Sequence, residues 1–156
     1  MLQRIQTIYF SLVIICLGVT CTGMEFFRFV KGAEFYSFSV YGIQKGVGND
    51  LSMHKSMPIY ITVIGLCLFA FMILMSYKNI KKQLKWARNL FFLYAFILIG
   101  VIVYSLISKS HFFESGGEQE LGLGYLFLVA GLPFCFLAQI AVKRDKKLLD
   151  SLNRLR

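Results

Sequence analysis

The chain has 156 residues, 57% of them apolar or aromatic and 16% charged, where a soluble domain carries roughly 45–50% and about 25%. That balance excludes an ordinary water-soluble globule, and the length allows one membrane domain with too little chain left over for a second core. The formal net charge of +9 would suit a polyanion binder, so the positions of the cations have to decide between nucleic acid and a membrane surface.

The first segment without Asp, Glu, Lys, Arg or His is 5–24. Its length matches one helical crossing of a hydrocarbon core about 30 Å thick. Arg4 ahead of it and Gly18-Val19-Thr20 within it would also fit a cleaved signal peptide. The apolar run exceeds the roughly 7 to 15 residues usual there, and Cys21 lacks the preceding small residue of a lipoprotein signal, so the helix is expected to be retained. The outer segment 25–57 follows. Within it Phe35-Tyr36-Ser37-Phe38-Ser39-Val40-Tyr41 nearly alternates, with Tyr36, Phe38 and Val40 on one face and Ser37 and Ser39 on the other, which predicts a strand. Gly42 and Gly46-Val47-Gly48-Asn49-Asp50 supply turn residues, so a small β-hairpin returning through Leu51 to Met53 is expected. A lone hairpin is marginal in water; the headgroup region and the helix ends, helped by Phe26, Phe27 and Phe29, are its expected support.

The second charge-free segment is 58–77, and the inner loop 78–89 then gathers Lys78, Lys81, Lys82, Lys85 and Arg88 around Trp86. The third segment is 90–107. The outer loop 108–120 contains Ser115-Gly116-Gly117 with Glu114, Glu118 and Glu120 and reads as a flexible turn. His111 beside those glutamates has no spacing that would fix a metal site. The fourth segment, 121–142, carries Pro133 two residues after Gly131, which predicts a kink. In the tail 143–156, Leu148, Leu149, Leu152 and Leu155 fall on one helical stripe among basic residues. This predicts a short amphipathic helix along anionic headgroups, or docked on a partner.

These segments define an all-α membrane protein with four transmembrane helices in one domain, 1–156. A β-barrel is excluded because its strands would alternate rather than run apolar throughout. Twelve cations fall on the side of the termini and the 78–89 loop and five on the other. The positive-inside rule therefore places both termini in the cytoplasm. The basic charge thus reads as topology, and no aromatic-interleaved basic patch points to nucleic acid.

No Asp, Glu, Lys, Arg or His lies within the four spans, which argues against proton-coupled carriers that need a buried carboxylate. Polar residues there are few, and Gln6 and Gln139, near the cytoplasmic ends of their spans, are expected to bond each other or nearby backbone as packing glue. Gly18 with Thr22 and Gly131 with Cys135 have the spacing of close helix contacts. All four cysteines, Cys16, Cys21, Cys67 and Cys135, lie in apolar runs, away from outer loops where a thiol oxidase would need them. His54 and His111 are the only histidines, and no catalytic, cofactor-binding or metal residue can be named.

The start Met1-Leu2-Gln3-Arg4-Ile5-Gln6-Thr7-Ile8-Tyr9 resembles that of a bacterial family of small four-span inner-membrane proteins known only as a domain of unknown function. The resemblance extends to the aromatic outer loop, basic inner loop and basic tail. It implies an inner-membrane location, adds no catalytic residue, and marks Gln3, Arg4 and Gln6 as a group. The resulting expectation is a non-catalytic accessory or scaffolding subunit with no cofactor. Its partners would be the bilayer, anionic headgroups at the inner loop and tail, and a membrane protein or a second copy. The alternative is a small transporter or channel without intramembrane charges.

Overall fold

Four helices and one antiparallel sheet make up the computed structural model, which describes residues 3–31, 34–47, 50–56, 59–77, 79–112 and 118–154. The helices are α1 (Gln3–Thr20), α2 (Ile59–Met75), α3 (Ile80–Phe112) and α4 (Leu123–Arg154). α1 and α3 each pack against both α2 and α4, so the helices form a closed ring in which successive members run in opposite directions.

Sequence hydropathy shows these helices as apolar all round, but burial picks one stripe from each. On α1 the buried positions include Gln6, Phe10, Val13, Leu17 and Thr20; on α2 they are Val63, Leu66, Ala70 and Ile73; on α4 they include Leu128, Gly131, Cys135, Ala138, Val142 and Asp145. Steps of three and four residues alternate, the 3.5-residue repeat of helices packed side by side at a small crossing angle. The stripe is invisible in hydropathy because the outward positions are equally apolar: Ile8, Leu68, Phe96 and Phe136 are all exposed.

The largest departures from the predicted spans are the start of α3 and the end of α4. α3 begins at Ile80 and α4 continues unbroken to Arg154, so the 78–89 "loop" is mostly the first turns of α3, and the tail extends α4 rather than forming a separate helix. Lys, Gln, Arg, Leu and Ala are good helix formers in or out of lipid; hydropathy marks where a bilayer could lie, not where a helix stops. The α2–α3 connection shrinks to a turn near Ser76 and Tyr77, where the Ser76 amide donates to the carbonyls of Met72 and Ile73, both at 3.1 Å. α3 over Ile80–Ser108 and α4 over Leu123–Ser151 are long and apolar enough to cross a membrane, whereas α1 and α2 are apolar but shorter.

The expected hairpin is instead part of a five-stranded sheet, ordered β4-β3-β2-β1-β5. Its strands are β1 (Phe27–Lys31), β2 (Glu34–Ser39), β3 (Gly42–Val47), β4 (Asp50–Ser56) and β5 (Glu118–Leu121). The predicted strand ends at Ser39, turns at Val40 and Tyr41, and pairs with β3, so the return through Leu51 to Met53 pairs with β3 rather than β2. Gly46 misleads as a turn residue: it sits inside β3 because the Phe35 ring lies across it, where any Cβ would collide. Gly48 and Asn49 fall outside the described residues. The 108–120 segment is not simply a turn either, since α3 runs to Phe112 and β5 pairs with β1, Phe27 opposite Leu121; residues 113–117 lie outside the description.

One face of the sheet closes over the helix ends. Phe27, Phe29, Phe38 and Ile43 are buried there, with Phe38 5.0 Å from Tyr104 of α3 and Phe27 4.8 Å from Tyr125 of α4 between ring centroids. The Gln119 amide donates to the Ser105 hydroxyl at 3.2 Å. The strands are therefore supported by the helix ends, as the aromatic content implies. α1 stops beneath this sheet, where Gly23 takes a left-handed φ of 88° against the Tyr41 ring. The Tyr41 hydroxyl donates to the Cys21 carbonyl at 2.9 Å, satisfying backbone that the helix end leaves open.

Candidate functional site

At the end opposite the sheet, the buried stripes terminate in polar residues. Gln6 of α1, Gln83 of α3 and Asp145 of α4 are 4%, 3% and 7% exposed. Each follows from the 3.5-residue repeat: Gln6 lies one step before Phe10, Gln83 one step before Ala87, and Asp145 one step beyond Val142. The Gln6 side-chain amide donates to the Asp145 carboxylate, tying α1 to α4. Gln83 donates to the Ile73 carbonyl at 3.3 Å, which also accepts from the Ser76 amide, and so ties α3 to the last turn of α2. Gln6 and Gln83 also line one cavity of about 170 Å³ with Phe10, Leu74, Met75 and Tyr77.

Gln6 therefore behaves as interhelical glue, but its partner is Asp145 and not Gln139. Gln139 sits one position past buried Ala138 and is half-buried, so it faces the α3 side. Asp145 is inconspicuous in the sequence because it is flanked by cations and looks like tail; its register with Cys135, Ala138 and Val142 is the signal that singles it out. The side chains of Arg4, Leu152 and Leu155 lie outside the described residues.

Around this buried polar layer the cations form grooves. One of about 320 Å³ between α3 and α4 is lined by Lys81, Leu84, Lys85, Arg88, Gln139 and Lys143. A neighbouring groove of about 560 Å³ shares Leu84 and Lys143 and adds Ile140, Arg144, Lys146, Lys147, Asp150 and Ser151. Lys81, Lys85 and Arg88 share a face because they are spaced four and three apart on α3. This arrangement concentrates positive potential in a concave site, which attracts anions.

Near the middle of the helical body α3 and α4 approach closely. The Tyr94 hydroxyl donates to the Leu128 carbonyl at 2.8 Å, tying α3 to α4 one residue before Val129, whose carbonyl Pro133 leaves without its helical donor. A Cβ on Gly131 would strike that hydroxyl, and the Cys16 Cβ is 3.5 Å from the same point. The Gly131 and Cys135 pair is thus a close contact between helices, whereas Gly18 has open space around it and Thr22 is exposed, so that second pair is not one. All four cysteines are free thiols. Among the described residues no group of three or more His, Cys, Asp or Glu forms a metal-ligating cluster; the side chains of His54, His111, Glu114 and Glu118 are not among them.

A family model described as Domain of unknown function (DUF4293) matches residues 2–155. No curated protein and no solved structure matches the chain.

Proposed function

Since the chain belongs to the DUF4293 family, whose activity is undefined, we propose that it is a four-span integral protein of the bacterial cytoplasmic membrane, acting as a non-catalytic accessory or scaffolding subunit. Its helices form a four-helix bundle with both termini in the cytoplasm. The observation that carries this reading is that all four helices, not only the two long ones, turn large apolar side chains outward. Ile8 and Ile15 on α1, Leu68 and Met72 on α2, Phe92 and Phe96 on α3, and Phe127 and Phe136 on α4 are all exposed. Contiguous apolar surface of this extent needs an apolar solvent. α1 and α2 have 18 and 17 residues, within the roughly 17 to 25 that cross a bilayer.

The close α3–α4 contact at Tyr94 and Gly131 supports a packed structural element, with interaction surfaces at the two ends. At the sheet end, Arg28 lies 3.3 Å from the Glu25 carboxylate and 4.7 Å above the Phe35 ring, presenting a rigid polar and aromatic surface on the face turned away from the helices. Crosslinking in intact membranes followed by mild-detergent purification should recover one defined partner or a homo-oligomer in fixed proportion. A monomer that crosslinks to nothing would refute the scaffolding role.

A further inference from the structure

We propose that the groove between α3 and α4 at the basic end is a site for an anionic phospholipid whose headgroup carries two phosphates. The inference rests on the membrane reading above and names the ligand of one face of that bundle. The narrower groove holds Lys81, Lys85, Arg88 and Lys143 with no carboxylate among its lining residues. Lys81 and Arg88 are two helical turns apart, about 10 Å along α3, so the four cations are spread over a length that two phosphates match better than one. Continuation past Lys143 to Lys146 and Lys147 adds further cations against the single Asp150.

The seam itself argues for a lipid rather than a soluble phosphate. One turn toward the middle of the bundle from Arg88 and Gln139, the α3–α4 seam turns apolar: the Phe91 and Phe136 rings lie 5.7 Å apart, and exposed Phe92 and Leu137 flank them. Leu84 and Ile140 line the grooves among the cations. A cationic slot leading directly into an apolar seam matches an amphiphile with an anionic head and hydrocarbon chains. It also lies where basic pockets between membrane helices meet headgroups.

The test uses the full chain in neutral detergent micelles, read by native mass spectrometry and thermal unfolding. With cardiolipin as the two-phosphate lipid, wild-type protein should retain it and melt several degrees higher, phosphatidylglycerol should give a smaller effect, and phosphatidylcholine none. The K81Q/K85Q/R88Q variant changes three exposed positions, so its melting in phosphatidylcholine should match wild type. Its affinity for the two-phosphate lipid should fall roughly 100-fold, about fivefold for each cation lost. For the wild type, retention should weaken with salt. Equal retention of phosphatidylcholine, equal retention of phosphatidylglycerol, unchanged affinity in the triple variant, or equal stabilisation by inorganic diphosphate would each overturn the proposal. Extraction of the protein from membranes by alkaline carbonate would instead refute the membrane reading, so the two failures are separable.

Discussion

Gln6→Leu is expected to destabilise the protein by about 1–3 kcal/mol, the cost of leaving a buried polar partner without its hydrogen bond. The residue left behind is the Asp145 carboxylate, 7% exposed between α1 and α4, and a charged group stranded in this way costs more than a neutral one. Asp145→Leu should be milder, because it strands only the neutral Gln6 amide. The double variant Gln6→Leu with Asp145→Leu should recover much of the loss, since removing both partners leaves nothing unsatisfied. Thermal or denaturant unfolding of the four proteins in one detergent measures the cycle. Additive losses in the double variant would show that the pair does not join the helices.

Gly131→Ala should cost about 1–3 kcal/mol, the usual effect of overpacking a filled interior, reduced by the roughly 1 kcal/mol by which Ala favours a helix over Gly. The added methyl falls on the Tyr94 hydroxyl and forces α3 away from α4 or breaks the bond from Tyr94 to Leu128. Tyr94→Phe alone should cost only about 0.6 kcal/mol, the mean for a hydrogen bond between membrane helices. It also removes the atom that the methyl strikes hardest, leaving the ring Cζ at 3.0 Å. Gly131→Ala in the Tyr94→Phe background should therefore cost clearly less than in the wild type, and unfolding midpoints of the set measure the coupling. An equal Gly131→Ala penalty in both backgrounds would place the clash elsewhere.

The number of helices and their approximate places were legible because each coincides with a charge-free run. Their packing faces were not. Outward-facing Phe92 and Phe96 are as apolar as buried Leu90, so composition cannot tell inside from outside; only the few polar residues on the 3.5 repeat could have marked the stripe. Of those, Gln6 was visible through the N-terminal motif, while Gln83 and Asp145 were hidden among cations that hydropathy reads as loop and tail. The sheet was partly legible at Phe35 to Ser39. β3 was obscured by two glycines, one of which exists to accommodate Phe35, and β5 by acidic residues whose strand conformation depends on pairing with β1, some ninety residues earlier in the chain. Contacts of that separation leave no local mark on either segment.

Site-directed labelling of single cysteines in a cysteine-free background, in intact cells and then in opened ones, tests the four-span arrangement most directly. Probes at Asn49, in the β3–β4 connection, and at Gly116, between α3 and β5, should react with a membrane-impermeant maleimide in intact cells once any outer membrane is permeabilised. Probes at Lys78 and Arg156 should react only after the cytoplasmic membrane is opened. That pattern places α1 to α4 across the bilayer with both termini inside. Labelling of Lys78 and Asn49 from the same side would mean that α2 does not cross, and would contradict the four-span reading.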